Sequence, residues 1–349
     1  MLCRSFESAE ERGRGRGLRW WRPCRQEWRR ILAAEASVEI LMTNYQGESW
    51  TDVQIATIVA QDYDNWRLLI RDDGSTDRTL DILRFWRDRF PNKIVILDEH
   101  NPQNLGLAGN VSALMTASSA PYAMFSSWDD VWYRDKVSNA VRAIRSLEAK
   151  YGAECPLLIH TDMRMVDANL HELYPSAQKR FGVVPSRNLT VGRFCLENTA
   201  FGPTFILNRA LLQLGNPIPR AAKAEDWWLA LVAAAFGVIE ARPEVSLDYR
   251  RHGVNVSDVS LSLLASLRSV ITDPLRHRRA FYAKLAVNQE IIQAFLDSFD
   301  SRLSPRDRAT VQAFLALPKL GFWARRRAIL QHRILYSSWT RTAGLLLLV

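Results

Sequence analysis

The feature that most constrains this chain is the passage from Leu68-Leu69-Ile70 into Arg71-Asp72-Asp73-Gly74-Ser75-Thr76-Asp77. A branched apolar run stops abruptly at acids, a glycine and hydroxyls, and an amphipathic pattern follows over residues 80–90. Strand, turn and helix start in that order form the repeating unit of an open α/β sheet, where ligands sit beyond the carboxyl ends of the strands. Adjacent carboxylates at such a strand end face a crevice. Gly74 lets the backbone pass close to a ligand. Ser75 or Thr76 can cap the next helix, and Asp77 suits the positive end of its dipole. A purely structural Asx-rich turn uses the same residue types, so its neighbours decide between the two readings.

Residues 38–43 predict a strand closed by the polar turn Asn44-Tyr45-Gln46-Gly47-Glu48, residues 53–60 a helix, and residues 66–71 the next strand. A second such unit follows, with a helix over 80–90 stopped by Pro91 and a strand over 93–97. After a turn-rich loop at 101–110 come a helix over 111–117 and a strand over 122–126 that runs into Ser127-Trp128-Asp129-Asp130. This alternation predicts an α/β fold with a mainly parallel sheet flanked by helices. Both acid pairs then lie at its carboxyl edge. A helix over 136–150 and a strand over 157–160 continue the pattern, which loosens at 167–198, the expected loop-rich acceptor region. A strand over 202–207 and a helix over 209–214 precede Glu225-Asp226, which opens the apolar helix 227–236.

Beyond residue 259 the pattern is helical, with basic clusters Arg276-His277-Arg278-Arg279 and Arg325-Arg326-Arg327. The chain therefore divides into a basic lead (1–36), an α/β domain (37–258) and a helical C-terminal extension (259–349). The lead, with Arg-Gly repeats at 12–17, lacks the apolar core of a signal peptide and reads as disordered. The 48% hydrophobic content is that of a globular core, and the net charge of +9 calls for an acidic partner. Cys3, Cys24, Cys155 and Cys195 show no C-x-x-C spacing, which argues against a zinc site or disulfide framework and fits a reducing cytoplasm. The longest apolar runs fall short of the ~20 residues of a spanning helix.

Adjacent acids at Asp129 and Asp130 suit a hard divalent cation shared with a pyrophosphate. Five segments, Asn44-Tyr45-Gln46-Gly47-Glu48, Asp72-Asp73-Gly74-Ser75-Thr76-Asp77, Trp128-Asp129-Asp130-Val131-Trp132, Asp226-Trp227-Trp228 and Tyr249-Arg250-Arg251-His252-Gly253, occur in a familiar order. Over residues 38–257 the chain resembles the family-two, GT-A-fold, inverting glycosyltransferases, and among them bacterial rhamnosyltransferase-type enzymes of polysaccharide assembly.

The resemblance implies a nucleotide-diphospho-sugar donor, of dTDP-rhamnose or UDP-sugar type, and a saccharide or lipid-linked acceptor. It implies that Thr43, Tyr45, Glu48, Asp72 and Asp73 hold the nucleotide, with Tyr45 able to stack on the base. Asn198, Gly202 and Thr204 resemble the glycine loop beside the donor sugar, although Pro203 departs from it. The family's D-x-D motif, which holds Mg²⁺ or Mn²⁺, ends at Asp129, with Asp130 beside it; its first position is Ser127 here. His252 corresponds to a histidine that reaches the metal or the diphosphate, and Arg250 and Arg251 to positive groups beside it. The catalytic base falls on Asp226, where capping alone would explain one acid but not its place in the series.

Other readings compete. A haloacid-dehalogenase-type loop would need a nucleophilic Asp where Arg71 stands. A nucleotide-sugar-binding module with little turnover would follow if Ser127 disables the metal site. Nucleic-acid binding by the lead lacks an aromatic-interleaved module. The charge is better accounted for by a phosphorylated donor, and by peripheral contact of the basic tail with an anionic inner leaflet; solvated helices packed on the α/β domain are the alternative.

Overall fold

The computed structural model describes residues 37–99, 103–184, 189–222, 224–252 and 274–348. The basic lead, residues 101–102 and Gly253 of the last motif lie outside them. Strand β1 (Val38–Asn44) is the centre of the frame, buried at every position except Thr43. Burial on both faces is what a parallel strand under two helical layers requires. β1 runs parallel to β2 (Trp66–Asp72) on one side and to β4 (Tyr122–Ser126) on the other, and β3 (Ile94–Leu97) continues parallel beyond β2. Helices α1 (Thr51–Val59), α2 (Thr79–Arg89) and α3 (Gly106–Ala117) make the crossovers. Ile55 and Ile58 of α1, with Val111 and Leu114 of α3, are almost wholly removed from water.

Register then decides where the polar turns meet. Asn44 lies beside Asp72, and Met42 beside Ser126, so the segments after β1, β2 and β4 gather at one edge of the sheet. At the opposite end of β1, buried Glu39 pairs with Arg67 and accepts from Ser118 Oγ at 2.6 Å and the Ser119 N–H at 2.7 Å. A fully bonded buried acid of this kind penalises slippage, because a shifted register would leave it unpaired.

Past β4 the sheet becomes mixed. Among the described residues nine strands form one sheet in the order β3-β2-β1-β4-β8-β6-β9-β5, with β7 attached to β6. These additional strands are β5 (Val131–Trp132), β6 (Leu157–Val166), β7 (Glu172–Tyr174), β8 (Ile206–Asn208) and β9 (Val238–Arg250). β8 is antiparallel to both β4 and β6, whereas β6 and β9 are parallel. The sequence pattern does not predict β9. Its pairing with β6 shifts register between His160 and Arg164, and such irregularities erase a period-two signal.

α4 (Lys136–Tyr151) packs on β6, and α5 (Ala177–Phe181), α6 (Val191–Phe194) and β7 give structure to the region expected to be loop-rich. α7 (Arg209–Leu214) leads to α8 (Glu225–Phe236), whose Trp228–Ala233 run is buried throughout. Four helices close the chain: α9 (Pro274–Phe299), α10 (Pro305–Ala316), α11 (Phe322–Gln331) and α12 (Trp339–Leu348). They pack directly on the α/β unit. Phe295 and Phe299 meet the Trp228 ring at 5.9 and 5.7 Å, and Asn288 Nδ2 donates to the carbonyls of Cys195 and Leu196. No helix among the described residues is long and apolar enough to cross a membrane.

Candidate active site

A cleft of about 360 Å³ opens at the edge where the turns gather. Thr43, Ser127, Asp129, Asn198, Gly202 and Asp226 line it, with Met163, Phe201, Trp227 and Tyr249 among its apolar walls. The turns after β1 and β2 are joined to each other by hydrogen bonds. The Gln46 N–H donates to Ser75 Oγ at 2.8 Å, the Gly47 N–H to Thr79 Oγ1 at 2.8 Å, and the Glu48 N–H to Asp77 Oδ2 at 3.1 Å. Glu48 returns the bond, accepting from the Arg78 N–H at 3.1 Å and satisfying an orphan donor at the start of α2.

Asp72 is occupied within its own turn by the N–H groups of Gly74 at 3.1 Å and Ser75 at 2.7 Å, together with Ser75 Oγ. Gly74 has φ of 90°, a conformation that favours glycine. Asp73 accepts from buried Arg71 Nη1 at 2.8 Å and from the N–H groups of Leu105 and Gly106 at 2.8 and 2.9 Å. Glu48, Asp72 and Asp73 are thus braces of the loops, whatever else they meet. Thr43 faces the cleft, and Tyr45, 48% exposed, presents its ring for stacking.

Asp129 is the acid of the second pair that reaches the cleft. Its Oδ2 lies 2.8 Å from His252 Nε2, and the imidazole stacks on Trp50 with ring centroids 4.3 Å apart. Trp128 leans on the same imidazole at 5.6 Å. Arg250 supports the loop from beneath, donating through Nε to the Asp129 carbonyl at 3.0 Å and through Nη1 to the Ala168 carbonyl at 2.6 Å. Arg251 is half-buried, and its N–H donates to the Val166 carbonyl at 2.8 Å. Asp130 has no exposed surface and takes no part in the cleft's lining. Burial, and then the charge of Asp129, raise its carboxyl well above the usual range. Burial lowers nearby Lys136 to about 7, against the opposing pull of Asp130.

Asp129 and His252 bring one oxygen and one nitrogen donor together. Among the described residues no third His, Cys, Asp or Glu joins them. This donor set fits a divalent cation that takes its remaining oxygen ligands from a bound phosphate group or water.

The third acid pair sits at the mouth of α8. Burial raises Asp226 to about 6, against the opposing pull of the Trp227 and Gly202 N–H groups and the Asn198 side chain. Burial, and then the charge of Asp226, raise Glu225 to about 7. Trp227 Nε1 donates to the Phe194 carbonyl at 2.6 Å and fixes this first turn. Gly202 leaves room for the acids: a Cβ there would stand 2.5 Å from Glu225 Oε1 and 3.4 Å from the Asp226 Cβ. Thr204 closes the same loop, donating through Oγ1 to the Phe201 carbonyl at 2.7 Å. Carboxyls held above their ordinary range in a shielded cleft can take up a proton near neutrality.

Sequence reasoning passes over Trp50 and Trp128, which clamp His252, and over Glu197 and Arg341, which meet at the cleft wall. Trp128 lies inside a motif already singled out, whereas Arg341 is 144 residues from Glu197 and leaves no local signal.

A parallel half-sheet with acids at its carboxyl edge, joined to a mixed half that brings a third acid pair across a cleft, has the architecture of a GT-A fold. Residues 39–189 match the model of the family described as glycosyl transferase family 2, and the chain carries a domain of that family. The dTDP-rhamnosyl transferase RfbG of Shigella flexneri is 27% identical over 241 residues, covering 65% of this chain and 77% of that protein. The UDP-Glc:alpha-D-GlcNAc-diphosphoundecaprenol beta-1,3-glucosyltransferase WfgD of Escherichia coli is 32% identical over 101 residues, 29% of this chain and 38% of its own length. Among solved structures, S. aureus TarS residues 1–349 with UDP-GlcNAc superpose with a TM-score of 0.51 at 17% identity, covering 85% of this chain and 80% of that one. Mannosyltransferase PcManGT from Pyrobaculum calidifontis gives a TM-score of 0.51 at 16% identity over 92% of this chain and 84% of its own. At these identities the structural likeness concerns the fold.

Proposed function

We propose that the chain transfers a sugar with inversion from a nucleotide-diphospho-sugar, of dTDP-rhamnose or UDP-sugar type, to a saccharide or lipid-linked acceptor in cell-surface polysaccharide assembly. The observation that carries this reading is Asp226, a cleft-lining carboxyl held at about 6 beside Asn198 and Gly202. Ionised Asp226 accepts the proton of the acceptor hydroxyl. The oxygen then attacks the anomeric carbon in line, the bond from that carbon to the diphosphate oxygen breaks, and the nucleoside diphosphate leaves. Thr43 and Tyr45 are assigned to the nucleotide. Asp129 and His252 would hold Mg²⁺ or Mn²⁺, which when bound neutralises charge on the departing diphosphate. RfbG's name supports a dTDP-rhamnose donor, and WfgD's supports a diphosphate-linked acceptor.

The test is a donor screen with purified protein and a lipid-diphosphate-linked saccharide as acceptor, scoring nucleoside diphosphate release from dTDP-, UDP- and GDP-sugars with and without chelator. Release by the wild type, its loss on chelation and its return with Mn²⁺ or Mg²⁺ are expected. Donor binding without release would favour the second reading, a binding module, which Ser127 at the first D-x-D position recommends.

The chain is further assigned to an anionic inner membrane face. α11 divides by helical period: Arg325 and Ile329 are buried, with Arg325 Nε donating to the Leu317 carbonyl at 2.8 Å. Trp323, Arg327 and Leu330 are exposed, and spacings of three and four residues put them on the opposite side, with exposed Phe322 at the helix start. An exposed stripe of aromatic, aliphatic and basic residues suits a lipid interface. Flotation with anionic vesicles that is lost in high salt supports this assignment. Recovery of all the protein in the unbound fraction rules it out.

A further inference from the structure

The cleft is not built by the α/β unit alone. Arg341 of α12 reaches its lining, and among the described residues that line the cleft it is the one cation, facing Asp129, Glu197, Glu225 and Asp226. Its guanidinium is held in place. Nη1 donates to Glu197 Oε2, the Tyr336 ring centroid lies 4.3 Å from the guanidinium carbon, and the second oxygen of Glu197 accepts the Ser337 N–H. Glu197 therefore buckles the start of the last helix to the wall of the cleft. The remaining donors, Nε and Nη2, have no partner among the described residues, and the side chain keeps 25% of its surface open. A planar fork pinned through one amino group and open at the other two positions is arranged for a bidentate oxyanion.

The reading above gives the donor diphosphate to the Asp129–His252 end, which leaves Arg341 without a partner in the donor. We propose that Arg341 forms an anion subsite on the acceptor side of the cleft, which takes the diphosphate joining an acceptor saccharide to its lipid. This inference rests on the transfer reading. The tail that delivers Arg341 also carries the exposed aromatic and basic stripe of α11, so one segment would meet both the lipid surface and the charged link of an acceptor anchored there.

The experiment uses the full chain and calorimetric titration with three probes: phenoxyundecyl diphosphate-GlcNAc, phenoxyundecyl GlcNAc without the diphosphate, and methyl glucuronoside as an anionic sugar. The wild type should prefer the diphosphate probe over its diphosphate-free counterpart by roughly ten- to a hundredfold, the range for one charged hydrogen-bonding partner. Arg341→Met should erase that preference. Arg341→Gln, which can still bond to Glu197, should also erase it and guards against misfolding of the first variant. Nucleotide-sugar binding should be unchanged in both. Equal affinity of the wild type for the first two probes, or a preference that survives both substitutions, overturns the subsite. Equal Arg341 dependence with methyl glucuronoside overturns its assignment to the lipid link. A wild type that binds the diphosphate probe but no nucleotide sugar would sink the transfer reading and leave the subsite standing.

Discussion

The turn after β2 and the turn into α8 each present two adjacent acids, and the structure treats them in opposite ways. Asp72 and Asp73 receive six hydrogen bonds from Gly74, Ser75, Arg71, Leu105 and Gly106, counting both the N–H and the hydroxyl of Ser75. Glu225 and Asp226 are half-buried at the cleft; Glu225 Oε2 has no partner among the described residues, Asp226 accepts the Trp227 N–H at 2.6 Å, and burial raises both carboxyls in spite of such bonds. A carboxylate tied into its own loop by several donors is a girder, and one that lines the cleft and that burial holds above its ordinary range is placed to act as a base. Two acids in a row therefore mean little until their donors are counted.

Asp226→Asn should give the widest separation between the two turns. It removes the proton acceptor and keeps the shape, so turnover should fall by roughly two to four powers of ten while donor affinity holds. The same change at Asp73 should leave turnover per folded molecule within a few-fold. Equal losses at the two positions, measured as nucleoside diphosphate release, would erase the distinction.

Stability should reverse the ranking. Asp73→Ala removes one of the two carboxylates that meet buried Arg71, which keeps Asp98 and the Gln103 carbonyl, and strips the Leu105 and Gly106 N–H groups of their acceptor, so it should cost about 1–3 kcal/mol, readable as a lower urea midpoint. An unchanged midpoint would show that Asp73 is not a brace.

The pH dependence sharpens the comparison further. Because the folded state holds Glu225 and Asp226 above their ordinary values, it binds protons that the unfolded chain has released. Stability should fall as pH rises from the usual carboxylate range to about 6 to 7 and level off above it. Turnover should climb over the same interval as Asp226 ionises. Asp226→Asn should gain about 1 kcal/mol over the wild type well above pH 7 and nothing near pH 4, a modest figure because the acids open onto a wet cleft. Thermal unfolding across pH checks the sign.

The smallest effect is expected at Glu48. Its bond to the Arg78 N–H makes it a cap for α2, so Glu48→Ala should cost about 1 kcal/mol of stability and leave donor affinity unchanged. A tenfold loss of donor affinity would return Glu48 to the nucleotide.

The parallel half of the fold was legible because its signals are local. The 38–43 and 66–71 runs and the abrupt turns after them need only neighbouring residues to be read, and the structure returns them as β1 and β2 within a residue. The mixed half was read less completely. β9 pairs with β6 through shifted register, and β5 is only two residues long, so neither imprints a period on the chain.

The same division runs through the site. The amino-acid sequence by itself determined which residue types stand at the strand ends and helix mouths: the three acid pairs, the Tyr45 turn, His252 and the glycine loop. Turn chemistry and hydrophobic period are properties of neighbouring residues, and they survive without a fold. The tertiary structure alone decided which of these acids is spent and which is available. Asp72 is filled by its own turn, but for the others that depends on groups arriving from elsewhere in the chain: the start of α3 closes on Asp73, His252 comes from 123 residues away to meet Asp129, and Glu197 draws Arg341 to the cleft. Hydrogen-bond satisfaction and burial are sums over neighbours in space, and only the folded chain supplies those neighbours.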